Sequence, residues 1–287
     1  MTRLSRISCR CFLLLITLLT VIGISACGNS STSVTASAAF NGSQETIWYL
    51  SSYPAGYNVP IDMVLVFQNH MVTCYDTTLP SSQSQLTFGT IQNLSHSEII
   101  NKAIEMNKAH FHNTVQSDIR LYQMSLQQAQ SDMTASHESL NYSDSSQNDT
   151  ARDLELKNAQ ILSHDDQLVI DNLSRTAYQL PKAMTYQLSS VSTTNGVSVQ
   201  TLDFSYYDAA STLLAPTDSC VWQDSCQTVS TMPNPYQTVM FKGQISTNPW
   251  YNKVNNTTYS GYALVQGSTT TYLETASHHH FVLDSAQ

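Results

Sequence analysis

One change of period bounds what this chain can fold into. From Ser95 onward Ile100, Ile104, Phe111, Val115, Tyr122, Leu126, Ala129 and Met133 follow steps of three, four and seven, the spacing of a heptad seam on a helix. Ser95-His96-Ser97-Glu98 ahead of them fits a capping box, in which the serine hydroxyl takes an N3 amide and the glutamate reaches back. The pattern predicts one helix of about forty residues, about 55–60 Å long at 1.5 Å per residue. After the polar stretch His137–Asp149, a second seam runs through Ala151, Leu154, Ile161, Leu168 and Asn172 and ends before Pro181. Two seams joined by a polar loop fold most simply on each other as an antiparallel coiled-coil hairpin. Such a hairpin can bind a partner as an arm, or pack on itself or along the rest of the domain. Few charges flank the seam to specify a partner helix, which favours the second.

On both sides of this insertion the residues read as strands. Thr46–Leu50 and Met63–Phe67 are short aromatic or β-branched runs, the second preceded by Pro60, and Gln68-Asn69 can turn the chain so that His70–Tyr75 returns antiparallel. A further strand is expected near Leu86-Thr87-Phe88. Beyond the hairpin the strand candidates are Met184–Leu188, Val197–Leu202 after the turn dipeptide Asn195-Gly196, Thr238–Phe241, Tyr262–Val265, Thr270–Leu273 and His280–Leu283. About nine or ten strands split by one helical hairpin give an α+β protein, an antiparallel β-rich domain built as a sandwich or small barrel. The domain is expected to span residues 45–287, with the hairpin inserted at about 95–175, and that length can bury one good core.

The N-terminus carries a different signal. Arg3, Arg6 and Arg10 precede the apolar run Cys11–Ile24, which ends in Ile24-Ser25-Ala26-Cys27. The run is shorter than the ~20 apolar residues of a spanning helix, and a polar stretch follows at once. This resembles the export signal and lipobox of bacterial lipoproteins. The resemblance implies that residues 1–26 are a signal peptide and that Cys27 receives a diacylglyceryl group before becoming the new N-terminus. It also implies palmitate in the mature protein and an anchor on the extracytoplasmic face of a cell membrane, or in the outer membrane if the envelope has two. Two acyl chains hold a protein stably where one would not. Residues 28–44 are rich in Ser, Thr, Ala, Gly and Asn without apolar periodicity, so the lipidated cysteine is expected to begin a flexible tether spanning 27–44. Thr46–Leu50, Ile61–Asp76 and Leu86–Ile100 also resemble the opening of uncharacterised surface lipoproteins from Gram-positive bacteria, a likeness that implies location and architecture but no activity.

The signal segment holds three of the 12 basic residues and none of the 21 acidic ones. The mature chain therefore sets nine basic residues against 21 acidic, a formal balance of −12 that argues against nucleic acid as a partner. Of the six cysteines, Cys9 and Cys11 leave with the signal and Cys27 carries lipid, so Cys74, Cys220 and Cys226 remain. Cys220 and Cys226 can close a small disulfide loop, with Cys74 a buried thiol in a strand; three reduced cysteines, or a bond from Cys74 to either partner, stay open.

Chemistry-bearing patterns are sparse. His278-His279-His280 with Asp284 could hold a metal only with ligands from elsewhere, because His278 and His280 share one strand face while His279 takes the other. His110 and His112 lie about 200° apart around a helix, and His164-Asp165-Asp166 reads as a solvated stretch of the second helix. His137-Glu138 lacks the second histidine of a zincin helix. No Gly-x-Ser-x-Gly elbow, Ser-x-x-Lys, phosphate loop or dinucleotide fingerprint occurs. The expectation is a non-catalytic binding or surface-interaction protein without catalytic residues, metal or cofactor, its ligand a protein, a carbohydrate or a small molecule. Fifteen tyrosines, with Tyr206-Tyr207 and Trp250-Tyr251 among the candidates, could line such a surface. The alternatives are a lipocalin-like small-ligand carrier, suggested by Trp48 near the start of the first strand, and a metal-binding lipoprotein.

Overall fold

Antiparallel pairing passes from neighbour to neighbour around the β-rich part of the molecule until the last strand returns to the first. The computed structural model describes residues 33–140, 146–194, 197–209, 236–247, 252–266, 268–277 and 279–285. The elements lie in the unit Val34–Gln287, apart from Ser33, which opens the first strand. Along the chain come β1 (Ser33–Thr35), α1 (Ala36–Phe40), β2 (Thr46–Ser51), β3 (Met63–Gln68), β4 (Met71–Asp76), α2 (Phe88–Ile91), α3 (His96–Leu140) and α4 (Ser146–Arg175). Then come β5 (Met184–Leu188), β6 (Ser192–Thr194), β7 (Val197–Ala209), β8 (Tyr236–Thr247), β9 (Asn252–Val254), β10 (Thr257–Gln266), β11 (Thr269–Thr275) and β12 (His280–Val282).

Eight of these strands close a barrel in the order β2-β3-β4-β5-β7-β8-β10-β11, and β11 pairs back onto β2 through Leu273 opposite Leu50. The α+β class with an inserted helical hairpin is what the sequence predicted, and the choice between sandwich and barrel falls to the barrel. Closure leaves none of the eight strands as a free edge. Short β6 and β9 pair on the outside of this ring with β7 and β10, while β1 and β12 form a separate two-stranded pair.

Side-chain alternation gives the barrel two faces, and β2–β4 bury both. Inward, Trp48, Leu50, Leu65, Phe67, Val72 and Cys74 meet Leu202, Phe204, Phe241, Ile245, Tyr262, Leu264 and Leu273 from the opposite wall. Outward, Ile47, Tyr49, Val64, Val66 and Tyr75 form a second core with Phe88 and Ile91 of α2 and with Ile99, Ala103 and Met106 of α3. Burial on both faces explains why Thr46–Leu50 and Met63–Phe67 read as apolar runs rather than alternating ones. The sheet is tightest at Gly261, where a Cβ would come 1.9 Å from the carbonyl oxygen of Leu273 on the paired strand.

Three local expectations are corrected. The segment read as the end of a flexible tether is folded over its described part: Thr35 caps α1, and α1 sends Ala36, Ala39 and Phe40 into the barrel core. Its Ala-rich sequence looked featureless because a plug of five residues has no room to show a period. The strand expected at Leu86–Phe88 is instead the start of α2, since Thr87 and Thr90 make a reciprocal capping box and Phe88 and Ile91, three apart, are both buried. The β3–β4 turn is Asn69-His70, with φ of 51° and 60°, as a hairpin of this type demands at both central positions.

The hairpin forms as expected. Ser95 N–H donates to Glu98 Oε2 at 2.7 Å and Glu98 N–H donates to Ser95 Oγ at 3.4 Å. The Ser95 hydroxyl also donates to Glu98 Oε2 at 2.6 Å, and this bond first, then the one from Ser95 N–H, holds the Glu98 carboxyl below its ordinary range. Helix α3 spans 45 residues, about 67 Å at 1.5 Å per residue. Its first turns lie on the barrel wall; from Phe111 on, its buried residues pack against α4 and Tyr178 in a core of their own, made with Val169, Ile170 and Leu173.

Candidate functional site

Polar groups gather in two places around the hairpin: where it joins the barrel, and along its seam. At the junction, β4 ends in Asp76, and Thr78 folds back on it. Thr78 N–H and Oγ1–H both donate to Asp76 Oδ1, at 2.8 and 2.6 Å. One turn of α3 supplies Asn107, whose Nδ2 donates to the Asp76 carbonyl at 3.1 Å, and His110. Tyr178, in the chain leaving α4, donates from its hydroxyl to Asn107 Oδ1 at 2.9 Å. A threonine hydroxyl lies 3.1 Å from His110 Nδ1, and a carboxylate oxygen lies 3.6 Å from the same nitrogen.

That is the composition of a nucleophile, base and acid, but the bonds run in the wrong order. His110 Nδ1 sits 2.8 Å from the Thr78 backbone carbonyl, which can only accept, so this nitrogen carries the proton. It cannot take a proton from the Thr78 hydroxyl, which already gives its hydrogen to Asp76. The cluster therefore cross-links β4, α3 and the segment after α4, fixing the root of the hairpin.

The seam above the root carries buried acids. Asp118 and Ser125 on α3 are each 6% exposed, and Asp165 and Asp166 on α4 are 6% and 2% exposed. Positions 111, 115, 118, 122, 125 and 129 alternate steps of four and three, so Asp118 and Ser125 occupy seam places between Val115, Tyr122 and Ala129. Among the described residues, Asp118 Oδ2 and Ser125 Oγ have no hydrogen-bond partner. Burial pushes the Asp118 carboxyl up to about 6. Burial also raises the Tyr122 hydroxyl, and the negative charges of Asp166 and Asp118 raise it further.

The barrel holds further polar groups. Glu274 on β11 is fully buried; its carboxylate accepts Ala55 N–H at 2.7 Å and Asn252 Nδ2 at 2.5 Å, tying a loop and β9 to the wall. Burial raises its affinity for a proton, against those two hydrogen bonds. Burial and then the charge of Glu274 push the neighbouring Tyr259 hydroxyl up to about 12. At the plugged end, Asp284 accepts from Ser37 N–H at 3.0 Å, from the Ser37 hydroxyl and from Gln200 Nε2 at 2.6 Å. Inside, Phe40 stands 5.0 Å from Trp48, 4.8 Å from Phe67 and 5.8 Å from Tyr262, ring centre to ring centre. Phe281 adds contacts to Trp48 and Tyr262. Trp48 Nε1–H, deep in this cluster, has no partner among the described residues.

The structure scatters the residues that the sequence offered as sites. Cys27, Cys220, Cys226, His278, Trp250 and Tyr251 lie outside the described residues. Cys74 is a free, buried thiol in the barrel interior, and burial pushes its pKa up. His280 belongs to β12, His279 is exposed, and Asp284 is committed to Ser37 and Gln200. Tyr206 is buried against Phe204 in the barrel core. His110 enters the junction, whereas the neighbouring His112 is exposed. Among the described residues, no three or more His, Cys, Asp and Glu side chains come together as a metal site.

The solvated reading of Asp165 and Asp166 is overturned. The seam of α4 runs through Leu162, Asp166, Val169 and Leu173 rather than Ile161, Leu168 and Asn172, which turns the acids inward. The polar residues that sequence reasoning missed had left a trace. Each seven-residue step in the first seam, Ile104 to Phe111 and Val115 to Tyr122, skips a place where a seam residue belongs, and Asn107 and Asp118 are buried there. In comparisons with protein families, curated proteins and solved structures, nothing matches this chain.

Proposed function

We propose that this chain is a lipoprotein, held by acylated Cys27 on the extracytoplasmic face of a membrane, which acts by binding or surface interaction rather than by catalysis. The observation that carries the reading is the run from Cys11 to Ile24 ending in Ile-Ser-Ala-Cys27. Two features of the fold support the non-catalytic part. The hydrogen bonds of Asp76, Thr78 and His110 are ordered for cross-linking, and the root they form holds a long helix pair whose core is separate from the barrel's. Growth with labelled palmitate tests the anchor. The expected result is label on the wild type and none on Cys27→Ser, with the variant lost from the membrane fraction. An unlabelled wild type found in the cytosol with residue 1 intact overturns it. Robust turnover by the purified protein on hydrolase substrate panels, abolished by one side-chain change, overturns the non-catalytic reading.

A small-ligand carrier is the second reading, and two observations favour it. The eight-strand order is that of an up-and-down barrel, an architecture used to enclose small ligands, and the Trp48 indole is a buried donor that an enclosed acceptor would satisfy. Against it stands the packing of Phe40, Phe67, Tyr262 and Phe281 around that indole. Native mass spectrometry of protein taken directly from membranes separates the two. A carrier retains a discrete small molecule, and the surface-binding reading expects none.

A further inference from the structure

Burying a carboxylate costs free energy unless a cation or hydrogen-bond donors accompany it, and the hairpin seam buries acids on both of its helices. Asp118 projects from α3 at a seam place, makes no ion pair and leaves Oδ2 without a hydrogen bond among the described residues. The acids that the seam brings near it meet at one tyrosine, whose hydroxyl feels the charges of both Asp166 and Asp118. Tyr122 lies one turn on along its own helix; from α4, the element packed against it, come Asp166, which acts on the same tyrosine, and the adjacent Asp165. Ser125, one turn beyond Tyr122, adds a second buried oxygen without a partner.

We propose that the α3–α4 hairpin is a pH-responsive element whose seam tightens on acidification and loosens as Asp118 ionises at its buried, unpartnered seam place. The cluster is confined to the helix pair and lies outside the barrel cores, so the change acts on the arm and spares the barrel.

The direction follows from linkage. The folded-state value of Asp118 lies near 6, above the ~3.9 of an unfolded aspartate. The folded seam therefore binds the proton more tightly. Its stability is greatest below the unfolded value, falls as pH rises between the two, and is level above the folded one.

Amide hydrogen exchange on the full mature protein, corrected for intrinsic rates, reads this directly. Between pH 7.5 and pH 5.0, protection of residues 115–126 should rise about tenfold, while amides of β2 and β3 serve as the internal reference. In Asp118→Asn the change should shrink to within about twofold. Unchanged or falling protection of the wild-type seam on acidification, or a tenfold rise that survives in Asp118→Asn, overturns the proposal. Should the variant lose its barrel protection, the carboxyl carbon titration of wild-type Asp118 decides: a midpoint above about 5 supports the proposal and one at or below that overturns it.

Discussion

Replacing Phe40 with Ala asks whether α1 is a stopper in the barrel or the end of a tether. The ring is 1% exposed and touches Trp48, Phe67, Tyr186 and Tyr262, with centroid distances from 4.8 to 6.4 Å. Truncating a buried phenylalanine costs ~3–5 kcal/mol from lost transfer energy and the cavity left behind. Four aromatic neighbours place this one near the middle of that range, about 4 kcal/mol. For a domain of this size each kcal/mol moves the melting temperature by about 2–4 °C, so the drop should be about 8–16 °C. Helix α1 has only five residues and can come away while the strands stay paired, which caps the loss at its docking free energy. Urea unfolding followed by far-UV circular dichroism reports the global cost, and near-UV dichroism at neutral pH reports the packing of Trp48. A loss below about 1 kcal/mol with an unchanged near-UV spectrum would refute the stopper.

Three further changes probe the wall and its ends. Glu274→Ala leaves the Ala55 amide and the Asn252 side chain without their buried acceptor; at ~1–3 kcal/mol for each orphaned group, stability should fall by about 2–6 kcal/mol in urea melts, and a loss under 1 would contradict that. Gly261→Ala drives a methyl group into the Leu273 carbonyl, so we expect a loss of at least about 3 kcal/mol or failure to fold, whereas a melting temperature equal to wild type would show that the β10–β11 pairing can shift. Burial pushes the Asp284 carboxyl up, but hydrogen bonds from Ser37 and Gln200 more than offset this and hold it below its ordinary value. Its contribution is therefore present above the unfolded carboxylate range and lost as pH falls through and below it. Asp284→Asn should flatten the acid limb of the melting-temperature curve, and a variant curve parallel to wild type between pH 2 and pH 5 would count against this.

Much of the architecture was legible because long elements repeat their signal. The hairpin shows its period over dozens of residues, and Ser95 with Glu98 marks where it starts. The elements that were misread are short, and tertiary contacts decide them. Leu86-Thr87-Phe88 looks like strand by propensity, and the chain turns helical from Phe88 because one face must cover Tyr49 and Tyr259. Helix α1 is set by where Phe40 lands, which no local pattern announces. The polar seam stayed hidden for a different reason. A search for apolar residues at heptad spacing passes over Asp118 and Ser125, and in α4 it settles on Ile161 and Leu168, one position off the buried stripe. Nothing in the spacing of Asp76, Thr78, Asn107, His110 and Tyr178 joins them before the chain is folded.

The insertion leaves after β4 and returns before β5, and those two strands are neighbours in the ring, pairing Met71 with Thr185. The arm thus leaves and rejoins the ring at two staves that pair with each other, and its length is decoupled from the container it grows from. Seven residues added to each helix past Phe111 would extend its reach by about 10 Å and leave every strand partner as it is. Selection could therefore set how far the arm stands from the barrel in whole heptads, as one cuts a stalk to length.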